Sequence, residues 1–332
     1  MRRALKLALH YARHRFAPLH PFEVQAVLLN ACNLRCTYCR CPDIETDLMT
    51  TAQWQALMPQ LARVGALRIK FQGGEPTIRR DFGDIARAAL DAGIETAVVT
   101  NGIAIARKAS LLDHLREVVV SLDALAPHLH DQYRGPGSHA AAMTAIDVAL
   151  ARGRKVYINM VVHRDTLVDL EPMMAFCEQR GIGLNAQAVM FGKAYQDDTA
   201  KPLALPLEEE REMYRRLAAW KREGRVLMFS AQSYERTAAW PHPGQLAVRG
   251  DGPSTCMAGR YYIHIEPNGD VHPCGLHVAS FIPKNAAADG LDAALRHVRQ
   301  HDCADCSLAY LNERKLLFSL RPSALAAMLT RG

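Results

Sequence analysis

The stretch VQAVLLNACNLRCTYC, Val24 to Cys39, decides how this chain is read. Its first seven residues are rich in Val and Leu and predict a strand over 24–30. That strand runs straight into Cys32, Cys36 and Cys39. Three thiolates on so short a loop can each hold one iron of a cubane, which leaves the fourth iron without a protein ligand. A closed structural zinc site takes four ligands. Zinc, or a structural cluster completed by Cys41, therefore stays as the alternative.

Outward from this loop, β-rich runs at 24–30, 67–71, 95–100, 117–121, 156–162 and 184–191 alternate with helix-like stretches. The latter lie at 51–64, 81–92, 104–115, 138–152, 167–180 and 207–223. Thr50 or Thr51 and Asp81 are start signals, and Gly65, Gly93, Gly153 and Gly181 are stop signals. The alternation predicts βαβ units and a parallel sheet. Six units are too few for a closed eight-fold barrel, so the fold class is α/β, with an open, partial (β/α)6 barrel over 23–240. Residues 240–255 are rich in Pro and Gly and read as a linker. Beyond them, β-rich runs at 261–266 and 271–274 flank Pro267-Asn268-Gly269-Asp270, a hairpin signal. A helix near 290–300, a Cys-rich loop and an amphipathic stretch over 313–330 follow. The expected division adds a small C-terminal domain over 255–310 and a helix within 311–332.

Of the 332 residues, 49% are apolar and 22% charged, which excludes a largely disordered chain, a collagen-like repeat and a coiled coil. No apolar run is long enough to cross a membrane. The net charge is +6, and Arg2, Arg3, Lys6, Arg13 and Arg15 carry five of it in the acid-free segment 1–22. A nucleic-acid binder spreads its excess over a face, so nucleic acid is not the expected partner. Leu5, Leu9, Ala12 and Phe16 give segment 1–22 an apolar stripe. It either packs on the domain that follows or, together with the tail, makes weak contact with an anionic membrane surface. The expected location is cytoplasmic, with attachment at the inner membrane face as the alternative.

A second cysteine group, Cys256, Cys274, Cys303 and Cys306, also reads as metal ligands, because the chain lacks a secretory signal. Cys177 lies among Met173, Met174 and Phe176 and reads as core; Cys41 reads as a spare thiol beside the first group. His264, His272 and His277 flank the second group in structural roles, with His272 lining a substrate pocket as the alternative.

CNLRCTYC resembles the C-x3-C-x-aromatic-C signature of the radical S-adenosylmethionine (SAM) superfamily. QGGEP at 72–76, Thr100-Asn101-Gly102, Ser121-Leu122-Asp123 and HDQYR at 130–134 match the family's later motifs in order, over residues 22–200. The resemblance implies a [4Fe–4S] cluster on Cys32, Cys36 and Cys39 with SAM at its open iron. It implies that Tyr38, Gly73, Gly74, Glu75, Pro76 and Asn101 lie at the SAM site, the two glycines giving close backbone approach to the amino group. It places Ser121 and Asp123 at the ribose hydroxyls and Arg134 at the SAM carboxylate, although Arg134 is one residue further from Ser121 than in relatives. Asn159 and Gln187, at the ends of the fifth and sixth strands, are expected to contact SAM or line its cavity.

The spacing from Cys256 through Gly269 to Cys274 resembles the opening of the SPASM/Twitch extension of that family. No cysteine follows Cys306, so this is similar to the shortened, Twitch-like form. The resemblance implies a second [4Fe–4S] cluster, fully ligated by Cys256, Cys274, Cys303 and Cys306. The implied activity is reductive cleavage of SAM to a 5′-deoxyadenosyl radical that abstracts hydrogen from a biosynthetic substrate. The second cluster would relay an electron, and flavodoxin or ferredoxin would supply reductant. A zinc- or cluster-stabilised binding protein without catalysis is the competing class. Sugar alcohols, tetrapyrroles, lipid-linked intermediates and peptides are candidate substrates. Peptides rank lower, since only about twenty residues precede the first strand, too few for an independent leader-binding domain.

Overall fold

The computed structural model describes residues 21–192, 195–250 and 256–318. Six parallel strands lie side by side in chain order: β1 (Glu23–Val27), β2 (Arg68–Gln72), β3 (Glu95–Thr100), β4 (Glu117–Ser121), β5 (Lys155–Val162) and β6 (Gly183–Ala188). Between them run α1 (Thr51–Arg63), α2 (Phe82–Asp91), α3 (Ile103–Arg107), α4 (Pro127–Arg134), α5 (Ser138–Ala151) and α6 (Leu170–Arg180). Thr50 and Gln53 form a capping box at the start of α1, whose inner face buries Trp54, Leu57, Met58 and Leu61. Each such side chain removed from water contributes about 1.5–3 kcal/mol. Gly65, Gly93, Gly153 and Gly181 all take positive φ where their helices end, as the stop signals require.

The stretch 104–115 does not form one helix. Lys108 leaves helical geometry after α3, and a short 3-10 turn, Ala109–Leu112, follows. Two helices escaped the sequence reading: α4, which starts with Pro127 in its first turn, and α8 (Ala231–Ala238), capped by Ser230 and packed on α7 (Leu207–Arg222).

The C-terminal part differs more. Strand β8 (Tyr262–Ile265) pairs in parallel with β1, while β9 (Asp270–His272) and β10 (Lys284–Asn285) continue antiparallel. The hairpin therefore extends the barrel sheet to nine strands instead of standing apart. The supposed linker contributes β7 (Ala247–Arg249), and the supposed Cys-rich loop is its partner, β11 (Cys303–Cys306). Short strands with a bulge, such as this pair, carry too little period-2 signal to be seen in sequence.

After α9 (Leu291–His297), the last helix, α10 (Ala309–Phe318), begins four residues earlier than its amphipathic pattern suggests. Its Leu311, Leu316 and Leu317 are buried, Arg314 pairs with Glu23 at the start of β1, and Lys315 pairs with Asp305. These side chains pack on the N-terminal end of the barrel, the first of the two roles open to the tail, and are not displayed for the alternative, a membrane surface. Segments 1–20 and 319–332 lie outside the described residues. No helix among the described residues is long and apolar enough to cross a membrane.

Candidate functional site

Parallel strands send their loops to one end of the sheet, and the first three loops meet there. Leu28 N–H donates to Gln72 O, Gly74 N–H to Leu29 O (2.9 Å) and Glu75 N–H to Ala31 O (3.0 Å). A Cβ on Gly73 would collide with Leu29 O, and one on Gly74 with the carbonyls of Asn30 and Ala31. The glycines are thus required by the chain's own backbone, at the segment that leads into Cys32, and not only by ligand approach. With the Gly74 and Glu75 N–H groups spent, the turn is left with carbonyl oxygens to offer an amino group. Buried Glu75 accepts from Thr77 N, Thr100 Oγ1 (2.8 Å) and Asn101 N (2.7 Å), clasping the loops after β2 and β3. Burial raises its pKa, against the pull of those hydrogen bonds. Pro76 starts a 3-10 turn and does not line the cavity described next.

A cavity of about 300 Å³ runs from this end into the barrel. Cys32, Cys36 and Cys39 stand at its mouth, half-buried, with Tyr38, Gly73, Gly74, Glu75, Asn101, Ser121, Arg134, Asn159 and Gln187 also on its wall. Register explains the last two: Ser121 pairs with Asn159 and Asn159 with Asn185, while Val161 pairs with Gln187, so all face inward. Asn185 Nδ2 donates to Asn159 Oδ1 (2.7 Å). Asn101 Nδ2 donates to Asn33 Oδ1 (2.8 Å), fixing the cysteine loop.

Asp123 departs from the ribose-binding position expected of it. It is fully buried and off the cavity wall. Arg134 Nε (2.6 Å) and Nη2 (3.0 Å), Tyr38 Oη and Val161 N–H (2.9 Å) all donate to its carboxylate. Burial alone would raise its pKa, but the Arg134 guanidinium outweighs this and lowers it. Asp123 therefore positions Arg134 and Tyr38, and Arg134 keeps further N–H donors for a ligand.

Burial raises the pKa of Cys32, and that of Cys36 to about 11. Thiols so placed favour the thiolate only beside strong positive charge, such as bound metal supplies. Among the described residues, no three or more His, Cys, Asp or Glu are arranged to hold a single metal ion. The loop suits a cluster that takes one thiolate per iron. Cys41 is buried on the same cavity wall and donates to Asn30 Oδ1 (3.6 Å); Cys177 is core.

The second group is also brought together. Cys256, Cys274, Cys303 and Cys306 share one buried apolar cluster with Tyr262, Leu308 and Leu311, and Tyr310 packs against it. The Cys303 thiol bonds to the Cys256 sulfur, which lowers the pKa of Cys256 and raises that of Cys303. Tyr262 and Tyr310 also line the barrel cavity, so they form the wall between the two cysteine groups, with Arg314 over both rings. His264, and not His272, faces the cavity; His272 sits opposite it in the hairpin, against Phe281. His264 Nε2 is hydrogen-bonded to Glu266 Oε1, and Tyr195 donates to Glu266 Oε2. The sequence reading missed Lys70, Gln25, Gln72, Asn185, Tyr262, Tyr310 and Arg314 as wall residues. For Gln25, Lys70 and Gln72, alternation with buried apolar neighbours along β1 and β2 was the available signal.

The profile of the Radical SAM superfamily matches residues 27–177. The PqqA peptide cyclase of Ruegeria pomeroyi is 30% identical over 292 residues, 84% of this chain and 73% of that protein. The chain belongs to the radical SAM superfamily. The mycofactocin maturase MftC of Mycolicibacterium smegmatis is 29% identical, over 82% of this chain and 69% of its own. Streptococcus suis SuiB bound to S-adenosylmethionine superposes with a TM-score of 0.65 at 21% identity, covering 86% of this chain and 68% of SuiB. The enzyme anSMEcpe with bound AdoMet gives 0.63 at 15% identity, covering 94% and 99%. As a radical SAM enzyme the chain uses SAM and a [4Fe–4S] cluster, and the cavity mouth supplies residues that fit both.

Proposed function

We propose that this radical SAM enzyme oxidises a peptide, with Cys32, Cys36 and Cys39 holding the SAM-binding cluster and Cys256, Cys274, Cys303 and Cys306 a second one. Residues 23–240 would serve the first and 255–310 the second. The observation that carries this reading is the gathering of four buried cysteines behind Tyr262 and Tyr310, against the cavity that the SAM motifs line. When bound, the first cluster and SAM together supply the 5′-deoxyadenosyl radical that removes a hydrogen atom from substrate. The chain's residues do the rest. Asn101, Ser121 and Arg134 orient SAM, with Arg134 held by Asp123. Asn159, Asn185 and Gln187 hydrogen-bond to SAM or to substrate deeper in the barrel. His264, held at Nε2 by Glu266, would take the proton that leaves an oxidised substrate at Nδ1, which faces Gln25 Oε1 (3.5 Å).

Peptides rise above the other substrate classes because relatives matching most of this chain are named for them. These include the PqqA peptide cyclase and a SuiB structure bound to precursor peptide SuiA. The net change is loss of one hydrogen atom, one proton and one electron from the peptide. The test is anaerobic incubation of reconstituted enzyme, SAM and reductant with synthetic peptides encoded beside its gene. A peptide lighter by two hydrogens, formed together with 5′-deoxyadenosine, supports the reading. Unmodified peptides with brisk 5′-deoxyadenosine formation would remove the peptide and keep the radical chemistry.

A further inference from the structure

Below the SAM motifs, the barrel floor gathers buried charges of both signs. Six charged side chains meet there: Glu23 from β1, Arg68 and Lys70 from β2, Glu95 from β3, Glu117 from β4 and Arg314 from α10. Glu23 is paired with Arg314, and Arg68 with Glu117. Glu23 and Glu117 are thus bonded to arginines, and Glu95 lies beside Arg68 in the β2–β3 register. Lys70 has no hydrogen bond or ion pair among the described residues, yet its side chain is on the cavity wall beside Gln25 and Gln72. Burial lowers its pKa to about 8; Glu23 and Glu117 oppose that fall, and Arg68 and Arg314 add to it. An ammonium withdrawn from water without a counter-ion is costly, and it persists where a ligand supplies the missing charge.

We propose that Lys70 binds a carboxylate of the substrate, which gives its ammonium the directly bonded counter-ion that no described residue supplies. The word substrate here rests on the function proposed above; the anion site itself does not. A single unpaired ammonium suits a monoanion, and Gln72, whose Oε1 already accepts from Gln25 Nε2, carries N–H donors for the second carboxylate oxygen. Lys70 lies three residues before Gly73 on β2, one side-chain layer deeper than the turn assigned to the SAM amino group. For a peptide, the site would hold an acidic side chain or a terminal carboxylate and so fix which residue faces the radical.

The test is competitive labelling of the reconstituted, SAM-loaded enzyme with trace acetic anhydride near neutral pH, read by mass spectrometry. N-acetylglutamate is the anionic probe and N-acetylglutamine its neutral match. A salt bridge that raises the lysine pKa by about one unit cuts the free-amine fraction about tenfold below that pKa. N-acetylglutamate is therefore expected to slow acetylation of Lys70 about tenfold, with N-acetylglutamine and the surface lysines unchanged. Equal protection by both probes, or by neither, overturns the proposal. So does full protection by SAM before either is added, since the anion would then be that of SAM. 5′-Deoxyadenosine formation by the same preparation is scored separately, so failure of the anion site and failure of the radical chemistry are told apart.

Discussion

Replacing Asp123 by Asn tests whether this carboxylate positions protein groups or meets ligand. Its side chain is fully buried, and Arg134 beside it is 7% exposed. The substitution leaves the Arg134 guanidinium without a counter-charge and weakens the bonds from Tyr38 and Val161. Breaking a buried pair from one side costs about 3–5 kcal/mol, a large part of a typical stability of about 5–15 kcal/mol. Urea unfolding of the anaerobic protein should show a lower midpoint at unchanged slope. The double variant Asp123→Asn/Arg134→Met should lose less than the two single variants summed, by roughly 0.5–3 kcal/mol. Weaker SAM binding should accompany the loss, because Arg134 is no longer aimed. A stability change below about 0.5 kcal/mol with weakened SAM binding would refute the reasoning and return Asp123 to a ligand-contacting role.

Gly74→Ala drives a methyl group into the Asn30 and Ala31 carbonyls, costing about 1–3 kcal/mol and displacing the cysteine loop; iron per chain should fall from about eight towards about four. Cys303→Ala/Cys306→Ala should leave substrate-free cleavage of SAM largely intact while modified product disappears; normal product formation would rule out the relay. Cys41→Ala should keep full iron loading, because this thiol is buried on Asn30; loss of the first cluster would make Cys41 a ligand. Glu23 has its pKa lowered to about 2, burial being outweighed by Arg314, Lys70 and Arg68 together, so its stabilisation is complete above the unfolded value near 4.5. It is lost as pH falls from there towards 2, and Glu23→Gln should flatten that acid limb in unfolding curves.

The six parallel strands and the first cysteine loop were legible because each carries a local signal: β-branched runs, glycine stops, and thiols at fixed spacing. The GGEP turn was legible as a motif but not as a contact, since the need for Gly73 and Gly74 comes from Leu29–Ala31, more than forty residues earlier in the chain. Asp123 looked like a ribose ligand because nothing local announces Arg134, Tyr38 and Val161 as its partners. The pairing of β8 with β1 joins residues about 240 apart, and short strands such as β7 and β11 take their identity from each other. Lys70 reads as an ordinary strand lysine until Arg314 and Arg68 are seen to be bonded to Glu23 and Glu117, the carboxylates that face it.

The central claim is tested most directly by counting 5′-deoxyadenosine made from SAM by the reduced, anaerobically reconstituted enzyme and by its Cys36→Ala variant. The account predicts 5′-deoxyadenosine and methionine in equal amounts from the wild type and none above background from the variant. Wild-type protein that carries its full iron, binds SAM and still makes no 5′-deoxyadenosine would contradict it.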